Sequence, residues 1–338
     1  MTNSKADIVE ARDLTVDFAA GRGMVRAVCG VDLSLKPGET VALLGESGSG
    51  KSVTLRALMR LHPKSAKIGG SIQVDGEDVL ALSPSALRAY RGKTVSMIFQ
   101  DPGLAFDPVY RIGDQIAETV MRHEGVSRAE GRKRGLELFE RVRIPSPERR
   151  LDNFPHEMSG GMRQRAMIAL ALACRPKVLL ADEPTTALDA TVQIQVLLLL
   201  RELQREFGLA IVFVTHDIGV AVEVADRIAV MYAGRIVESG SCRDVIRNPA
   251  HPYTRGLLAS RAHATLGKDE RLKAIPGSPP DLAAPPAGCA FGPRCGDFHE
   301  ECARDVPNNV RVNPTHTVRC WRAPSLTPDG PDRSRVQP

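Results

Sequence analysis

The chain has 338 residues, of which 43% are hydrophobic and 25% are charged, a composition typical of globular proteins. Its length allows one large domain or two smaller ones, and a net charge of +5 is too slight an excess to indicate nucleic-acid binding. No apolar run approaches the roughly 18 residues needed to cross a bilayer, and residues 1–10 lack the apolar core of a signal peptide. We therefore expect the protein to stay in the cytosol and to reach a membrane only through other proteins.

Short apolar segments alternate with segments of helical periodicity from residue 8 to about residue 240. Residues 8–18 and 25–35 predict strands of a small β-layer, residues 40–44 a short buried strand, and residues 50–62 the helix that follows it. Four further short runs are rich in branched residues and suit strands buried on both faces of a parallel sheet: residues 95–99, 178–181, 210–215 and 228–231. The pattern predicts an α/β fold.

Other stretches depart from this alternation. Residues 104–158 contain two charged segments with helical spacing, 113–123 and 127–142, and predict a helical insertion. Residues 275–286 are rich in proline and predict an irregular linker or wrapping segment. The polar, proline-containing residues 324–338 predict a disordered tail.

A phosphate-binding loop follows the predicted strand at residues 40–44. The pattern Gly-x-x-x-x-Gly-Lys-Ser stands between a strand and a helix, which is the context that this motif requires. Its members are Gly45, Glu46, Ser47, Gly48, Ser49, Gly50, Lys51 and Ser52. Glycines let backbone N–H groups turn toward phosphates, Lys51 should reach the β- and γ-phosphates, and the Ser52 hydroxyl should bind Mg²⁺. The alternative is a glycine-rich turn that matches by chance, and by itself the motif indicates only nucleotide binding.

Two carboxylates end the apolar run at residues 178–181. Asp182 and Glu183 should point into the crevice at the carboxyl ends of the strands, where open α/β sheets bind ligands. We expect Asp182 to hold Mg²⁺, directly or through water, and Glu183 to act as general base on the attacking water, a role worth roughly 10²–10⁴ in rate. The alternative is a pair of solvated acids that cap a helix at Pro184.

The segment Met158-Ser159-Gly160-Gly161-Met162 resembles the signature motif of the ATP-binding cassette (ABC) ATPases, and it precedes the acidic strand at the family's usual distance. That motif normally has Leu first and Gln fifth, where this chain has Met158 and Met162. The resemblance implies that Ser159, Gly160 and Gly161 bind the γ-phosphate held by the opposite subunit of a dimer. A serine and N–H groups at a helix start do form an anion site, although a simple helix N-cap is the alternative.

Four more positions match elements of the ABC family, in the family's order along the chain. Gln100 matches the glutamine that senses Mg²⁺ and the attacking water, and His216 matches the switch histidine that contacts the γ-phosphate. Asp189 matches the loop that communicates across the dimer, and Phe18 matches an aromatic residue that stacks on adenine. Taken singly, Phe18 would be a core residue and His216 a helix cap.

The resemblance covers residues 8 to about 260 and implies a P-loop ABC nucleotide-binding domain at residues 1–255. Its parts would be a mixed sheet core, an antiparallel β-subdomain and a helical subdomain at about 104–175. ATP hydrolysis coupled to transport is implied, with ATP and Mg²⁺ as cofactors, at the cytoplasmic face of the bacterial inner membrane.

One chain has one phosphate loop and therefore half of each composite site. The resemblance implies a head-to-tail dimer with a second ATPase subunit, two membrane permease subunits that meet the helical insertion, and an extracytoplasmic solute-binding protein as an indirect partner. Two other classes compete with this interpretation. A soluble ABC ATPase of translation or DNA repair usually has two cassettes or a long coiled-coil insertion, and a P-loop kinase would leave the signature segment unexplained.

The C-terminal part resembles that of ATP-binding subunits from dipeptide and oligopeptide importers. The matching stretches are residues 251–258, 276–280, 288–295 and 316–321. We therefore expect an extension at residues 256–323 and a peptide cargo, with glutathione, nickel chelates or another small solute as alternatives.

Seven cysteines are present, and four of them lie near the C-terminus: Cys289, Cys295, Cys302 and Cys320. In a reducing compartment such a cluster predicts a metal or redox-cluster site rather than disulfides. Four thiolates suit Zn²⁺ or a [4Fe–4S] cluster, and the lack of a close Cys-x-x-Cys pair disfavours a zinc ribbon. The resemblance to peptide importers implies the [4Fe–4S] cluster in a structural role, with zinc or no metal as the alternatives. We expect His299 and His316 to be surface residues, with a role as alternative ligands as the other interpretation.

Overall fold

The computed structural model describes residues 6–20, 23–186, 188–262 and 275–323 of the chain. Its strands are β1 (Val9–Ala20), β2 (Gly23–Leu35), β3 (Thr40–Leu44), β4 (Lys67–Val74), β5 (Glu77–Asp78), β6 (Val95–Ile98), β7 (Val178–Asp182), β8 (Ala210–Thr215), β9 (Arg227–Tyr232), β10 (Arg235–Ser241), β11 (Val310–Asn313) and β12 (His316–Val318). Its helices are α1 (Lys51–Leu58), α2 (Pro84–Lys93), α3 (Ile112–Glu124), α4 (Arg128–Arg141), α5 (Pro147–Leu151), α6 (Gly160–Leu172), α7 (Ala190–Phe207), α8 (Ile218–Val224), α9 (Cys242–Arg247), α10 (Pro252–Ala262) and α11 (Glu300–Arg304).

The larger sheet has the strand order β11-β12-β10-β9-β3-β8-β7-β6. The five strands from β9 to β6 in this order are parallel, whereas β10, β12 and β11 join antiparallel at one side. Every residue of β3, β7 and β8 is buried, as expected for parallel strands covered on both faces. The predicted mixed sheet core is confirmed, and the carboxyl ends of its parallel strands meet along one edge.

A smaller antiparallel sheet, with the order β2-β1-β4-β5, packs beside this core. Its inward residues Val9 and Leu14 belong to one buried cluster with Leu43 of β3 and Leu55 of α1. The antiparallel β-subdomain is therefore confirmed. Its third strand, β4, was not among the predicted strands, since two adjacent glycines interrupt the apolar pattern of residues 67–74.

The predicted helical insertion at residues 104–158 contains α3, α4 and α5, and α6 follows it within the helical subdomain expected at about 104–175. Ile116, Phe139 and Met167, from α3, α4 and α6, share a buried cluster with Phe213 of β8, so the insertion is anchored to the large sheet. The first turn of α4 is closed by a capping box of Ser127 and the residue three positions further, a local signal that stabilises a helix start.

Helix α1 is shorter than the helix predicted over residues 50–62. It ends at Leu58, and Arg60 has a φ of +50°, a left-handed conformation that cannot continue an α-helix. The last carbonyls of the helix are bound by α2, because the Tyr90 hydroxyl donates to the Leu58 oxygen at 2.7 Å and Arg91 Nε donates to the Met59 oxygen at 2.9 Å. Tertiary partners therefore end this helix before its apolar periodicity does.

The C-terminal residues continue the large sheet. β12 pairs with β10, and β11 pairs with β12. The boundary expected at residue 255 lies inside α10, and described residues 275–286 contain neither helix nor strand. The tail expected at residues 324–338 lies outside the described residues. Among the helices that the structure describes, none has the length and hydropathy to cross a bilayer.

Candidate active site

A cavity of about 630 Å³ opens at the carboxyl ends of β3, β6, β7 and β8. Most of the residues that the sequence singled out for nucleotide chemistry line it: Glu46, Ser47, Gly48, Gly50, Lys51, Ser52, Gln100, Glu183 and His216. They come from four separate stretches of chain. The sheet brings them together because each stretch directly follows a parallel strand.

The phosphate-binding loop turns from β3 into α1. Gly50 precedes the helix with a φ of +103°, a left-handed conformation that strains any residue with a Cβ. Gly45 has no room for a side chain, since a Cβ there would lie 2.2 Å from the Met231 carbonyl oxygen of β9. The loop is thus seated tightly on the sheet, and it leads into the N-terminal, positive end of the α1 dipole.

Lys51 places a buried positive charge inside the loop. Its Nζ donates to the Gly45 and Glu46 carbonyl oxygens at 2.7 and 2.8 Å. Burial lowers the pKa of Lys51, and the nearby Glu183 and Asp182 carboxylates oppose that shift. An ammonium group held in a partly desolvated loop is the arrangement that stabilises phosphoryl oxygens.

Ser52 and Asp182 meet where the sequence predicts the magnesium ligands. The Ser52 hydroxyl donates to Asp182 Oδ1 at 2.7 Å, and the Asp182 side chain is almost fully buried. Burial raises the pKa of Asp182, although the hydrogen bond from Ser52 opposes this. Hydroxyl and carboxylate oxygens are the ligands that Mg²⁺ prefers, so the pair fits this cation. Gln100 lines the same cavity, and its role as a magnesium ligand stays a prediction.

Glu183 and His216 form a hydrogen-bonded pair above the loop. His216 Nδ1 lies 3.1 Å from Glu183 Oε2, and the Thr186 hydroxyl donates to the same oxygen at 2.9 Å. Glu183 has a φ of +47°, and its backbone N–H is held by the Val214 oxygen. A carboxylate fixed on a strained backbone and oriented by two partners can accept a proton from water. The role of Thr186 as partner was not predicted, because its hydroxyl carries no signal in the sequence.

The signature segment stands apart from the cavity. Ser159 is the exposed N-cap of α6 and accepts from the Met162 N–H at 3.3 Å, while Gly160 faces open space. The two departures from the family motif are apolar packing positions, since Met158 is buried and Met162 is half-buried against the same cluster. Neither Ser159 nor the two glycines lines the cavity.

Two further predicted residues also lie outside the cavity lining. Asp189 caps α7, where its carboxylate accepts from the Val192 N–H at 3.0 Å. Phe18 packs against the core of the small sheet, with its ring edge-on to His62 at a centroid distance of 5.4 Å. Phe18 thus occupies the core position that the sequence analysis gave as its alternative, and its contact with adenine stays a prediction, as does the communication role of Asp189.

The C-terminal cysteines converge on a second, much smaller cavity of about 20 Å³. Cys289, Cys295, Cys302 and Cys320 all line it. Burial raises the pKa of the Cys320 thiol, and the charges of the other three cysteines raise it further. Among the described residues, no group of three or more His, Cys, Asp or Glu side chains is arranged to hold a metal ion.

The two histidines considered as ligands differ in position. His299 lines the cysteine cavity, with its Nδ1 at 3.1 Å from Cys302 Sγ. The surface position expected for His316 is wrong, because this residue is buried. Its Nε2 lies 2.7 Å from the buried carboxylate of Glu238, which also accepts from the backbone N–H of His251. Burial lowers the pKa of His251 to about 4, so this ring is neutral at pH 7.

Comparison with known proteins gives consistent matches along the chain. A family model described as "ABC transporter" matches residues 28–186, and one described as "Oligopeptide/dipeptide transporter, C-terminal region" matches residues 237–302. The chain is 48% identical to a probable peptide ABC transporter ATP-binding protein of Sinorhizobium fredii, over 95% of this chain and 97% of that protein. It is 47% identical to the oligopeptide transport ATP-binding protein OppD of Bacillus subtilis, over 98% of this chain and 91% of that protein.

Solved structures show the same fold. A dimeric ATP-binding cassette in a post-hydrolysis state, bound to ADP and phosphate, is 31% identical and has a TM-score of 0.63, over 70% of this chain and 99% of that one. The cbiO1 subunit of the cbiONQ ABC transporter complex of Clostridium perfringens is 28% identical and has a TM-score of 0.61, over 72% of this chain and 92% of that one.

Proposed function

Because the chain belongs to the family of ATP-binding subunits of ABC transporters, and is therefore an ATP hydrolase of that type, we propose that it energises the import of dipeptides or oligopeptides. The observation that carries the hydrolytic part is the convergence of Lys51, the Ser52–Asp182 pair and the Glu183–His216 pair on one cavity. The peptide part is supported by the C-terminal match at residues 237–302 and by the names of the relatives.

The hydrolytic step follows from the geometry of the cavity. The loop N–H groups and Lys51 hold the β- and γ-phosphates and stabilise the charge that develops on them. Glu183 accepts a proton from the attacking water as its oxygen bonds to the γ-phosphorus, and the bond to ADP breaks with its electron pair going to ADP. His216 would orient Glu183, to which it is hydrogen-bonded, and would contact the γ-phosphate. Ser52, Asp182 and Gln100 would hold Mg²⁺, which would neutralise charge at the phosphate oxygens.

We further propose that a second ATPase subunit closes the cavity. The support is the exposed Ser159 at the N-cap of α6, where a helix start can bind an anion but does not line the nucleotide cavity of the same chain. Asp189 would communicate across that interface, and Phe18 would stack on adenine. Light scattering of the full-length chain with and without ATP tests the pairing; a mass that ATP leaves unchanged, with the chain alone and with its partner ATPase, would contradict it.

The permease subunits would meet the helical insertion at the cytoplasmic face of the inner membrane. Large apolar side chains on the short connection between Gln100 and α3 support this proposal, because Leu104 is 82% exposed and Val109 and Tyr110 are also exposed. Exposed apolar groups clustered on a surface mark an interaction site. Such an arrangement would link the nucleotide state sensed by Gln100 to the transport channel.

The peptide cargo is tested by uptake in cells. We expect Lys51→Ala to abolish uptake of labelled di- and tripeptides, because the variant lacks the ammonium group that would hold the phosphates of ATP in the cavity. Lys177→Ala removes an exposed lysine that pairs with Asp75 at 2.5 Å on the surface, and it is the matched control with uptake unchanged. Loss of glutathione or nickel-chelate uptake with intact peptide uptake would replace the peptide by that solute.

We also propose that the four C-terminal cysteines hold a [4Fe–4S] cluster. Four sulfurs line one cavity, which supports a four-thiolate site. The thiols would have to lose their protons to bind the cluster, although burial raises the pKa of Cys320. The cluster would hold α11 against the segment before it. Anaerobic purification should yield a coloured protein with iron and sulfide in equal amounts, and a colourless protein containing zinc would contradict the cluster.

A further inference from the structure

The second residue of the phosphate-binding loop, Glu46, is held by the C-terminal part of the chain. Its backbone N–H donates to the Tyr253 hydroxyl at 2.9 Å. Its carboxylate accepts from Arg294 on both oxygens, at 2.8 and 3.1 Å, across a sequence separation of 248 residues. The C-terminal segment therefore contacts the loop at both its main chain and its side chain.

Arg294 is saturated with partners in a buried position. Its side chain is 5% exposed. Besides Glu46 it donates to the Pro276 carbonyl at 2.8 Å and to the Tyr232 hydroxyl at 3.2 Å. Burial alone would lower the pKa of Arg294, but the hydrogen bonds to Glu46 and Tyr232 raise it. A fork of this kind fixes the position of a carboxylate, because two parallel bonds set orientation as well as distance.

The surroundings of Arg294 are rigid. Tyr232, Tyr253 and Phe291 pack their rings together at centroid distances of 4.6, 5.3 and 5.4 Å. The guanidinium lies 5.8 Å from the centre of the Tyr232 ring and 6.0 Å from that of Phe291. Such packing leaves Arg294 little freedom, so Glu46 is bound to a fixed point.

Glu46 connects Arg294 to Lys51, the lysine of the phosphate-binding loop. The carbonyl oxygen of Glu46 accepts from Lys51 Nζ at 2.8 Å and from the Ser49 N–H at 3.3 Å. Displacement of Glu46 would therefore move the carbonyl oxygen that binds Lys51 Nζ and change the backbone conformation of the loop. The Arg294 side chain is nearly buried, whereas that of Glu46 is 26% exposed, and two charge-assisted hydrogen bonds join them.

From these contacts we infer that Arg294 and Tyr253 are positioning residues for nucleotide binding, which hold the phosphate-binding loop in its cradle shape through Glu46. The inference rests on nucleotide binding in the large cavity. It gives the C-terminal segment a function in the ATPase cycle that does not depend on a metal at the cysteines.

The test measures MgADP affinity of the full-length chain by titration calorimetry, together with kcat and KM for ATP. We expect Arg294→Met to weaken MgADP binding by about fivefold or more, with KM raised more than kcat is lowered. Tyr253→Phe removes one oxygen atom only and should weaken binding in the same direction while folding normally. Arg255→Met is the matched control, since Arg255 pairs with Asp297 on the exposed surface of the same segment.

A double-mutant cycle separates positioning from general stability. If Arg294 acts through Glu46, Arg294→Met should change MgADP affinity little in a Glu46→Ala background. Additive losses, or a Tyr253→Phe variant with unchanged affinity, would overturn the inference. A wild-type chain that binds no MgADP would instead overturn nucleotide binding in the cavity, so the two failures are distinguishable.

Discussion

Replacement of Glu183 by glutamine changes one atom type at the centre of the proposed chemistry. In Glu183→Gln the side-chain oxygen can still accept from the Thr186 hydroxyl, which lies 2.9 Å from Glu183 Oε2 in the unchanged chain. The charge that could accept a proton from water is lost. The pKa of the neighbouring Asp182 should fall, because the Glu183 charge is one of the causes that raise it. We therefore expect nucleotide and Mg²⁺ binding to persist while hydrolysis fails.

The expected loss follows from the role of the carboxylate. A positioned general base contributes about 10²–10⁴ in rate, which corresponds to about 3–5 kcal/mol of activation free energy. The effect on unfolding should be far smaller, since the shape of the side chain and its bond to Thr186 are kept. The variant should then accumulate in the ATP-bound, paired state.

Phosphate release at saturating MgATP measures the rate, and light scattering measures pairing in the same samples. Glu223→Gln is the matched control, because Glu223 is an exposed carboxylate of α8 whose partner is the surface residue Arg201. Its hydrolysis rate should equal that of the unchanged chain. Near-normal turnover in Glu183→Gln would refute the assignment of the general base.

Four further outcomes follow from the structure. Gly45→Ala should abolish nucleotide binding and lower the unfolding free energy by about 2–3 kcal/mol, since its Cβ would meet a β9 carbonyl oxygen at 2.2 Å. Gly48 has open space around it but a φ of +77°, so Gly48→Ala should lower the unfolding free energy by about 1–2 kcal/mol, as measured by urea titration. Burial lowers the pKa of His251 to about 4 in the folded chain, whereas the unfolded chain keeps the ordinary histidine pKa of about 6.5. As the pH falls the unfolded chain therefore takes up a proton first, and the unfolding free energy should drop by about 3 kcal/mol between pH 6.5 and pH 4. His251→Asn should flatten this dependence. Tyr90→Phe should lower the unfolding free energy by about 1–2 kcal/mol by removing the 2.7 Å bond to the end of α1, with MgADP affinity unchanged.

The parallel strands and the loop between them were predictable because their signals are local. β3 and β8 have the bounds that the sequence predicts, since short apolar runs bounded by turn residues specify buried strands. The helix after the loop was predicted too long, and β4 was not predicted at all. Both differences arise where long-range contacts decide the element, as at the end of α1, where Tyr90 and Arg91 bind the last carbonyls.

The candidate site divides in the same way. Residues of the loop, Asp182, Glu183, Gln100 and His216 were found because family motifs mark them and because each follows a parallel strand. Thr186 was missed, and so were Tyr253 and Arg294, which reach Glu46 from far along the chain. A hydroxyl or guanidinium that acts by tertiary contact leaves no periodicity or spacing to find.

The sequence by itself determined a glycine-rich loop of the phosphate-binding pattern at residues 45–52 and an acidic pair at the end of β7, because glycine content, strand length and strand ends are properties of neighbouring residues. Only the tertiary structure decided which groups share a cavity. It placed Ser52 against Asp182 and Glu183 against His216, and it left Ser159 exposed elsewhere. It also joined the C-terminal segment to the loop, because Arg294 and Glu46 are 248 residues apart in the sequence and only folding brings them together.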